Sequence, residues 1–297
     1  MPTMKVNGIE LYYDEYGIGD NIVISASGGD FKHYSEGNWP YYLADNGYHL
    51  YTITLRGYWK STHVTEDYGL DWYNIWADDV YEFGKNLGTD KYFYTGLSHG
   101  SGVGWHLADR RPEALKGFIA IVCGPHSLKS DLNARGTSPA REQTILAADD
   151  PELKLRIINE REPDWSKIPF DQIKKEKFVY EQWKQDFIEM TPEEMRIRPY
   201  TAFAWIKTEE EMEAKLRSIS VPTLMIGGMQ DTIISPESML RSANCVPNSK
   251  TVLYQNGTHM VAYELVESVK QDILQFMREC DAHKTIPAAD IQINLRN

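Results

Sequence analysis

Residues 92–107 read YFYTGLSHGSGVGWHL, an aromatic run that gives way to small residues around Ser98. YFYT has the composition of a strand, and the following SGVGWHLADRR has that of a helix stopping at Pro112. Gly96-Leu97-Ser98-His99-Gly100 therefore falls on a strand-to-helix corner in the G-x-S-x-G pattern, where flanking glycines allow backbones to approach closely beneath an exposed serine. Two rival readings of the glycines fail on spacing. A dinucleotide turn needs G-x-G-x-x-G, but counting from Gly100 and Gly102 puts Trp105 at the third glycine, and no G-x-x-x-x-G-K-[ST] occurs. A serine that merely caps the helix remains the plain alternative.

Outward from this corner, aromatic and β-branched runs recur at ELYYDEYG, NIVISAS, YHLYTITL, KYFYTGLS, LKGFIAIVCG, PTLMIGG and SKTVLYQNG, most of them bounded by turn residues. Helical patterns alternate with them at DWYNIWADDVYEFGKNL, SGVGWHLADRRPEAL and AYELVESVKQDILQFMREC. This alternation predicts an α/β fold, a mostly parallel sheet with helices on both faces. Between LKGFIAIVCG and PTLMIGG the strands stop. The expected organisation is a core of residues 1–124 and 217–283, a helical cap inserted at 125–216, and a tail at 284–297 whose structure the sequence leaves open. The insertion carries Trp165, Trp183 and Trp205 among many charged residues, and Val179, Trp183 and Phe187 share one helical face. Trp183 is the candidate substrate-binding aromatic, with packing inside the cap as the alternative.

A serine hydroxyl is a weak nucleophile that needs a base, an orienter for that base and donors for the developing oxyanion. Of eight histidines, His259 stands out as the base, because it follows the strand-like SKTVLYQ and precedes the last amphipathic helix. That places it at the carboxyl edge of the sheet, where α/β sites assemble. The other seven carry no paired signal and are read mostly as ordinary surface or core residues. The loop after LKGFIAIVCG offers no acid, whereas the loop after PTLMIGG offers Asp231, which could also be a simple turn residue. The oxyanion donors would be the backbone N–H groups of His99 and of Gly29 in the loop Ser27-Gly28-Gly29-Asp30, with Gly28 letting the backbone approach the substrate.

With these residues in place, the chain resembles the α/β-hydrolase superfamily over nearly its whole length, through SGG (27–29), LRGYWKS (55–61), GLSHG (96–100), VPTLMIGGMQD (221–231) and NGTHM (256–260). The resemblance implies Ser98, Asp231 and His259 as nucleophile, acid and base, and a helical lid at 125–216. Two departures stand out: Ser27 replaces the usual His of the oxyanion loop, and Trp59 replaces the small residue of the R-G-x-G-x-S turn. The implied activity is hydrolysis of a carboxylic ester or lactone through an acyl-serine. Alternatives within the fold are C–C bond or amide hydrolysis, perhydrolysis and cofactor-free lyase chemistry. A non-catalytic small-molecule receptor is the alternative outside enzymology.

Composition narrows the partners. The 297 residues are 42% hydrophobic and 25% charged, as in globular proteins, and 43 acidic against 31 basic residues give a formal charge of -12. Such a field repels phosphate backbones and anionic membranes, so neither nucleic acid nor membrane is the expected partner. No basic-apolar leader and no spanning segment is visible, and the expected location is the cytoplasm. Cys123, Cys245 and Cys280 are too scattered for a disulfide framework or zinc site. The triad calls for no cofactor and no metal. The expected ligand is a small apolar or aromatic molecule, and a homodimer is compatible with the sequence.

Overall fold

The computed structural model describes residues 2–27, 40–126, 128, 139–168, 170, 173–197, 200–282 and 290–294. Its centre is a nine-stranded sheet in the order β1-β2-β4-β3-β5-β6-β7-β8-β9. The strands are β1 (Thr3–Val6), β2 (Ile9–Tyr16), β3 (Ile22–Ser27), β4 (His49–Thr54), β5 (Tyr92–Leu97), β6 (Leu115–Ile121), β7 (Thr223–Gly228), β8 (Ser249–Tyr254) and β9 (Asp290–Asn294). β1 and β2 pair antiparallel, as do β2 and β4, and every other pairing is parallel.

The inner strands β3, β7 and β8 are buried at every residue. This is why they lack a regular alternation of apolar and charged residues, although Ser25, Ser27, Ser249 and Lys250 are buried among them. Their side chains still divide by the strand's two-residue period. Ile24, Tyr92, Tyr94, Phe118 and Met225 enter one core, with α2 (Trp72–Asn86), α3 (His99–Arg110), α8 (Glu209–Arg217) and α9 (Pro236–Cys245). Val23, Phe93, Ile119, Leu224 and Ile226 enter the other, with α1 (Tyr41–Asp45), α10 (Val261–Glu264) and α11 (Val266–Asp281).

The stretch between β6 and β7 also carries α4 (Pro139–Leu146), α5 (Pro151–Glu160), α6 (Ile173–Glu189) and α7 (Pro192–Arg196), and no strand among its described residues. Polar caps start α5 and α7: Asp150 accepts the Glu152 and Leu153 amides, and Thr191 with Glu194 forms a capping box. A third apolar cluster gathers Tyr180, Trp183 and Phe187 of α6, Ile157 and Ile158 of α5, Met195 of α7, and Tyr12 and Trp59 from the sheet side. Trp59 thus has a structural reason to replace a small residue. At a φ of 44° it turns its ring, edge-on to Tyr12 at 5.4 Å, into the joint between the helices and the sheet. Phe178, by contrast, faces solvent at 62% exposure.

A charged joint reinforces the apolar one. His63, four residues past Trp59, sets Nδ1 2.8 Å from Glu194 of α7 and Nε2 3.2 Å from Asp186 of α6. The bond to Asp186 foremost, and the Trp59 carbonyl and Glu194 after it, outweigh burial and raise the His63 pKa to about 9. The imidazole is therefore a cation at neutral pH. Reading His63 as an ordinary histidine missed this role, because its partners lie far along the chain. His106 was missed likewise: its Nε2 accepts the Phe203 amide at 3.0 Å, its Nδ1 lies 2.9 Å from Asn74 Oδ1, and burial lowers its pKa to about 3.

The tail, left open by the sequence, contributes β9 along β8. Among the described residues no helix is long and apolar enough to cross a membrane.

Candidate active site

Ser98 stands between β5 and α3 with φ 53° and ψ -111°, backbone angles that L-residues avoid and that store strain of about 1–3 kcal/mol. The surroundings enforce this corner. A Cβ on Gly96 would lie 2.4 Å from the Gly100 carbonyl carbon, and one on Gly100 would lie 2.1 Å from the Ala26 oxygen. Only glycine fits at either place, so the elbow sits hard against the end of β3. Behind it, the buried Ser101 hydroxyl accepts the Ile121 amide at 2.8 Å and lies in hydrogen-bond reach of the Ile121 and Gly96 carbonyls, tying the turn to β6. The neighbouring strand ends in the same way: Val122, a β-branched residue, has φ 47°.

Asp231 and His259 follow the adjacent strands β7 and β8. Asp231 Oδ2 is 2.8 Å from His259 Nδ1, while Oδ1 accepts the Ile233 and Ile234 amides at 2.8 and 3.0 Å. Oδ1 thus makes the contacts of a turn residue, while Oδ2 faces the imidazole. The Asp231 side chain is only 1% exposed and that of His259 15%, so the pair is shielded from solvent on the acid's side. The two loops interlock: the Gln230 amide donates to the Gly257 carbonyl at 2.9 Å, and a Cβ on Gly228 would lie 2.1 Å from that same oxygen. Thr258 binds Glu264 through both its amide, at 2.9 Å, and its hydroxyl, at 2.6 Å, which anchors the His259 loop to α10.

Ser98 makes its hydrogen bonds among the described residues through its backbone, donating to the Ile121 carbonyl at 3.0 Å and accepting from the Gly102 amide at 2.9 Å. None joins its hydroxyl to His259, a contact that often tightens only when substrate binds. His99 opens α3, so its N–H belongs to the first turn, whose amides lack intrahelical partners. Its half-buried ring sets Nδ1 2.6 Å from the Tyr73 hydroxyl. Burial first, then the charges of Arg141, His259 and His126, lowers the His99 pKa to about 4. His259, His126 and Arg141 of α4 are therefore near enough to act electrostatically on His99. Gly28 and Gly29 lie outside the described residues; Ser27, just before them, is buried at the end of β3. Trp183 lies in the apolar joint, its ring stacked on Phe187 at 5.5 Å and tilted against Tyr180 at 5.8 Å.

Residues beyond those read from sequence shape the region. Tyr73 and Ser101 act on the elbow, and Asp79, fully buried, binds Arg56 through both oxygens at 2.8 and 2.9 Å in the turn that leads to Trp59. Their only sequence signal was a polar residue on an otherwise apolar helix face. Cys123 and Cys245 are buried and unpaired with each other or with Cys280. Among the described residues no group of three or more His, Cys, Asp or Glu side chains is arranged to hold a metal ion.

Comparison with known proteins agrees with this architecture. A bifunctional esterase/perhydrolase of Acinetobacter calcoaceticus is 23% identical over 291 residues, covering 92% of this chain and 97% of that protein. The crystal structure of an enol-lactonase from Burkholderia xenovorans superposes with a TM-score of 0.68 at 19% identity, covering 94% of this chain and 100% of the other. A thermophilic esterase from Thermogutta terrifontis gives 0.64 at 24% identity, covering 94% and 97%. Residues 22–264 match the family described as the alpha/beta hydrolase fold, and the chain belongs to that family.

Proposed function

We propose that the protein is a serine hydrolase that cleaves a carboxylic ester or lactone through an acyl-enzyme. The observation that carries this reading is a strained Ser98 elbow after β5 together with an Asp231–His259 hydrogen bond after β7 and β8, in the same parallel part of the sheet. In the first step the Ser98 oxygen attacks the carbonyl carbon while His259 Nε2 takes the hydroxyl proton. Asp231 keeps the other imidazole proton on Nδ1 and stabilises the imidazolium. The oxyanion is held by the N–H of His99 and, from the loop after β3, that of Gly29. As the tetrahedral intermediate collapses, His259 returns the proton to the leaving alkoxide. A water then attacks the acyl-serine, giving its proton to His259, and as this second intermediate collapses His259 passes that proton to the departing Ser98 oxygen and the acid is released. The expected cap, residues 125–216, serves as the lid over this edge. Trp183 belongs to the joint that fastens the lid rather than to its pocket, given its stacking on Phe187 and Tyr180.

Labelling with a fluorophosphonate tests the reading: Ser98 is modified, and Ser98→Ala abolishes both labelling and turnover of p-nitrophenyl acetate. Modification of another serine, or undiminished turnover by Ser98→Ala, refutes it. A protein that binds such esters without cleaving them would instead be a receptor. The name of the Acinetobacter relative supports a second arm, in which hydrogen peroxide replaces water as acceptor of the acyl group and a peracid forms.

A further inference from the structure

The reaction scheme uses the backbone of His99 and leaves its ring without a task. Tyr73, which holds that ring, is buried on the inner face of α2. A Cβ on Gly102 would lie 2.2 Å from its ring, and Trp76 and His106 pack on it at 5.2 and 5.3 Å. The phenol has no room to turn. Burial raises the Tyr73 pKa well above its ordinary value, and His99 is neutral at physiological pH, so two uncharged groups share one hydrogen bond. His99 Nδ1 is the hydroxyl's partner among the described residues. A buried hydroxyl that only accepted would leave its own proton without an acceptor. Tyr73 therefore donates, Nδ1 accepts, and the imidazole carries its proton on Nε2.

That second nitrogen lies across the ring from Tyr73 and has no hydrogen-bond partner among the described residues. Arg141, His126 and His259 lie near enough to act electrostatically on the ring, and His259 belongs to the candidate site. We infer that His99 is a specificity-determining residue: its Nε2–H, positioned by Tyr73, donates to a second oxygen of the bound substrate, so the site favours acyl compounds carrying an acceptor oxygen next to the reacting carbonyl. The inference rests on Ser98 being the nucleophile. A donor partly withdrawn from water is satisfied by such an oxygen and not by a methylene, which makes the pair of substrates differing in that one atom the sharpest probe.

Two isosteric pairs supply the test. The esters p-nitrophenyl methoxyacetate and p-nitrophenyl butyrate are compared by kcat/KM, and the ketones 1-methoxypropan-2-one and pentan-2-one, which cannot be hydrolysed, by Kd. Taking each ratio relative to wild type cancels the intrinsic difference between ether and alkyl compounds. His99→Leu is expected to lower the preference for the oxygen-bearing partner about tenfold in both pairs, and His99→Gln, which retains a donor, to restore most of it. Tyr73→Phe frees the imidazole proton to sit on either nitrogen and should lower the ratio about threefold; it carries the comparison should His99→Leu fail to fold. A ketone ratio within twofold of wild type in His99→Leu and Tyr73→Phe overturns the inference. Ester turnover that survives Ser98→Ala while the ketone ratio still depends on His99 overturns the nucleophile assignment alone.

Discussion

Asp231 Oδ2 and His259 Nδ1 lie 2.8 Å apart, on a carboxylate whose other oxygen is held by two backbone amides. The carboxylate cannot rotate away, so the imidazole is oriented by a fixed acceptor rather than a mobile one.

Asp231→Asn separates that role from mere packing. The Asn carbonyl can still accept the Ile233 and Ile234 amides, but its NH2 then faces Nδ1 and forces the imidazole proton onto Nε2, where it blocks uptake of the serine proton. The expected loss in kcat on p-nitrophenyl acetate is about 10³- to 10⁴-fold with a melting temperature close to wild type. A loss below tenfold would remove Asp231 from the mechanism.

His63 makes the attachment of α6 and α7 pH-dependent. Its folded-state pKa is raised to about 9, against about 6.5 unfolded. The sign follows from linkage: the stabilisation is complete below about pH 6.5 and is lost as pH rises through 9, because the folded state binds the proton more tightly. Thermal unfolding between pH 7 and 10 should show a fall of order 2 kcal/mol that His63→Gln lacks. Parallel curves for the two proteins would contradict the clamp.

His99 and His106 work in the opposite direction. Burial holds them neutral, with folded pKa values of about 4 and about 3, so the folded state resists protonation. The stability they help to preserve is present above about pH 6.5 and declines as pH falls toward 4. His106→Asn is expected to flatten the acid limb of a melting-temperature profile, and an unchanged limb would show that other groups set it.

Trp183→Ala distinguishes a packing residue from a pocket residue. Removing an indole from the cluster with Phe187 and Tyr180 should cost about 3–5 kcal/mol of stability, while the ratio of rates on short and bulky esters stays constant. A stable variant with altered ester preference would return Trp183 to the substrate pocket.

Seven strands were legible because each is an apolar or β-branched run between turn residues, and β3, β7 and β8 are buried throughout. β1 and β9 were not: TMKV has a single buried residue, and the sequence DIQIN is more than half polar, in a strand at the sheet's edge. The positions of Asp231 and His259 could be read because both lie in the loops after strands, so their place on the sheet edge is set by local order. The positioning residues could not, since each acts across a long sequence gap. His63 meets Glu194 131 positions away, and Tyr73 reaches His99 from a different helix. In α6, helical spacing correctly put Trp183 and Phe187 on one face, but the stripe continues through Tyr180 while Phe178 points outward. Periodicity gives a helix its apolar side without saying what that side meets.

Ser98 and Val122 both end central strands in left-handed backbone conformations, and this puts a ceiling on the stability the molecule can reach. Replacing either by glycine would relax the chain, yet at Ser98 it would delete the hydroxyl proposed to react, and beside it any relaxation would let the corner open. The corner is thus held in a strained conformation by the backbone packed around it. Selection for a sturdier protein has to act on the periphery, through helix caps, surface charges and the joint at Trp59, because the middle of the sheet is already committed.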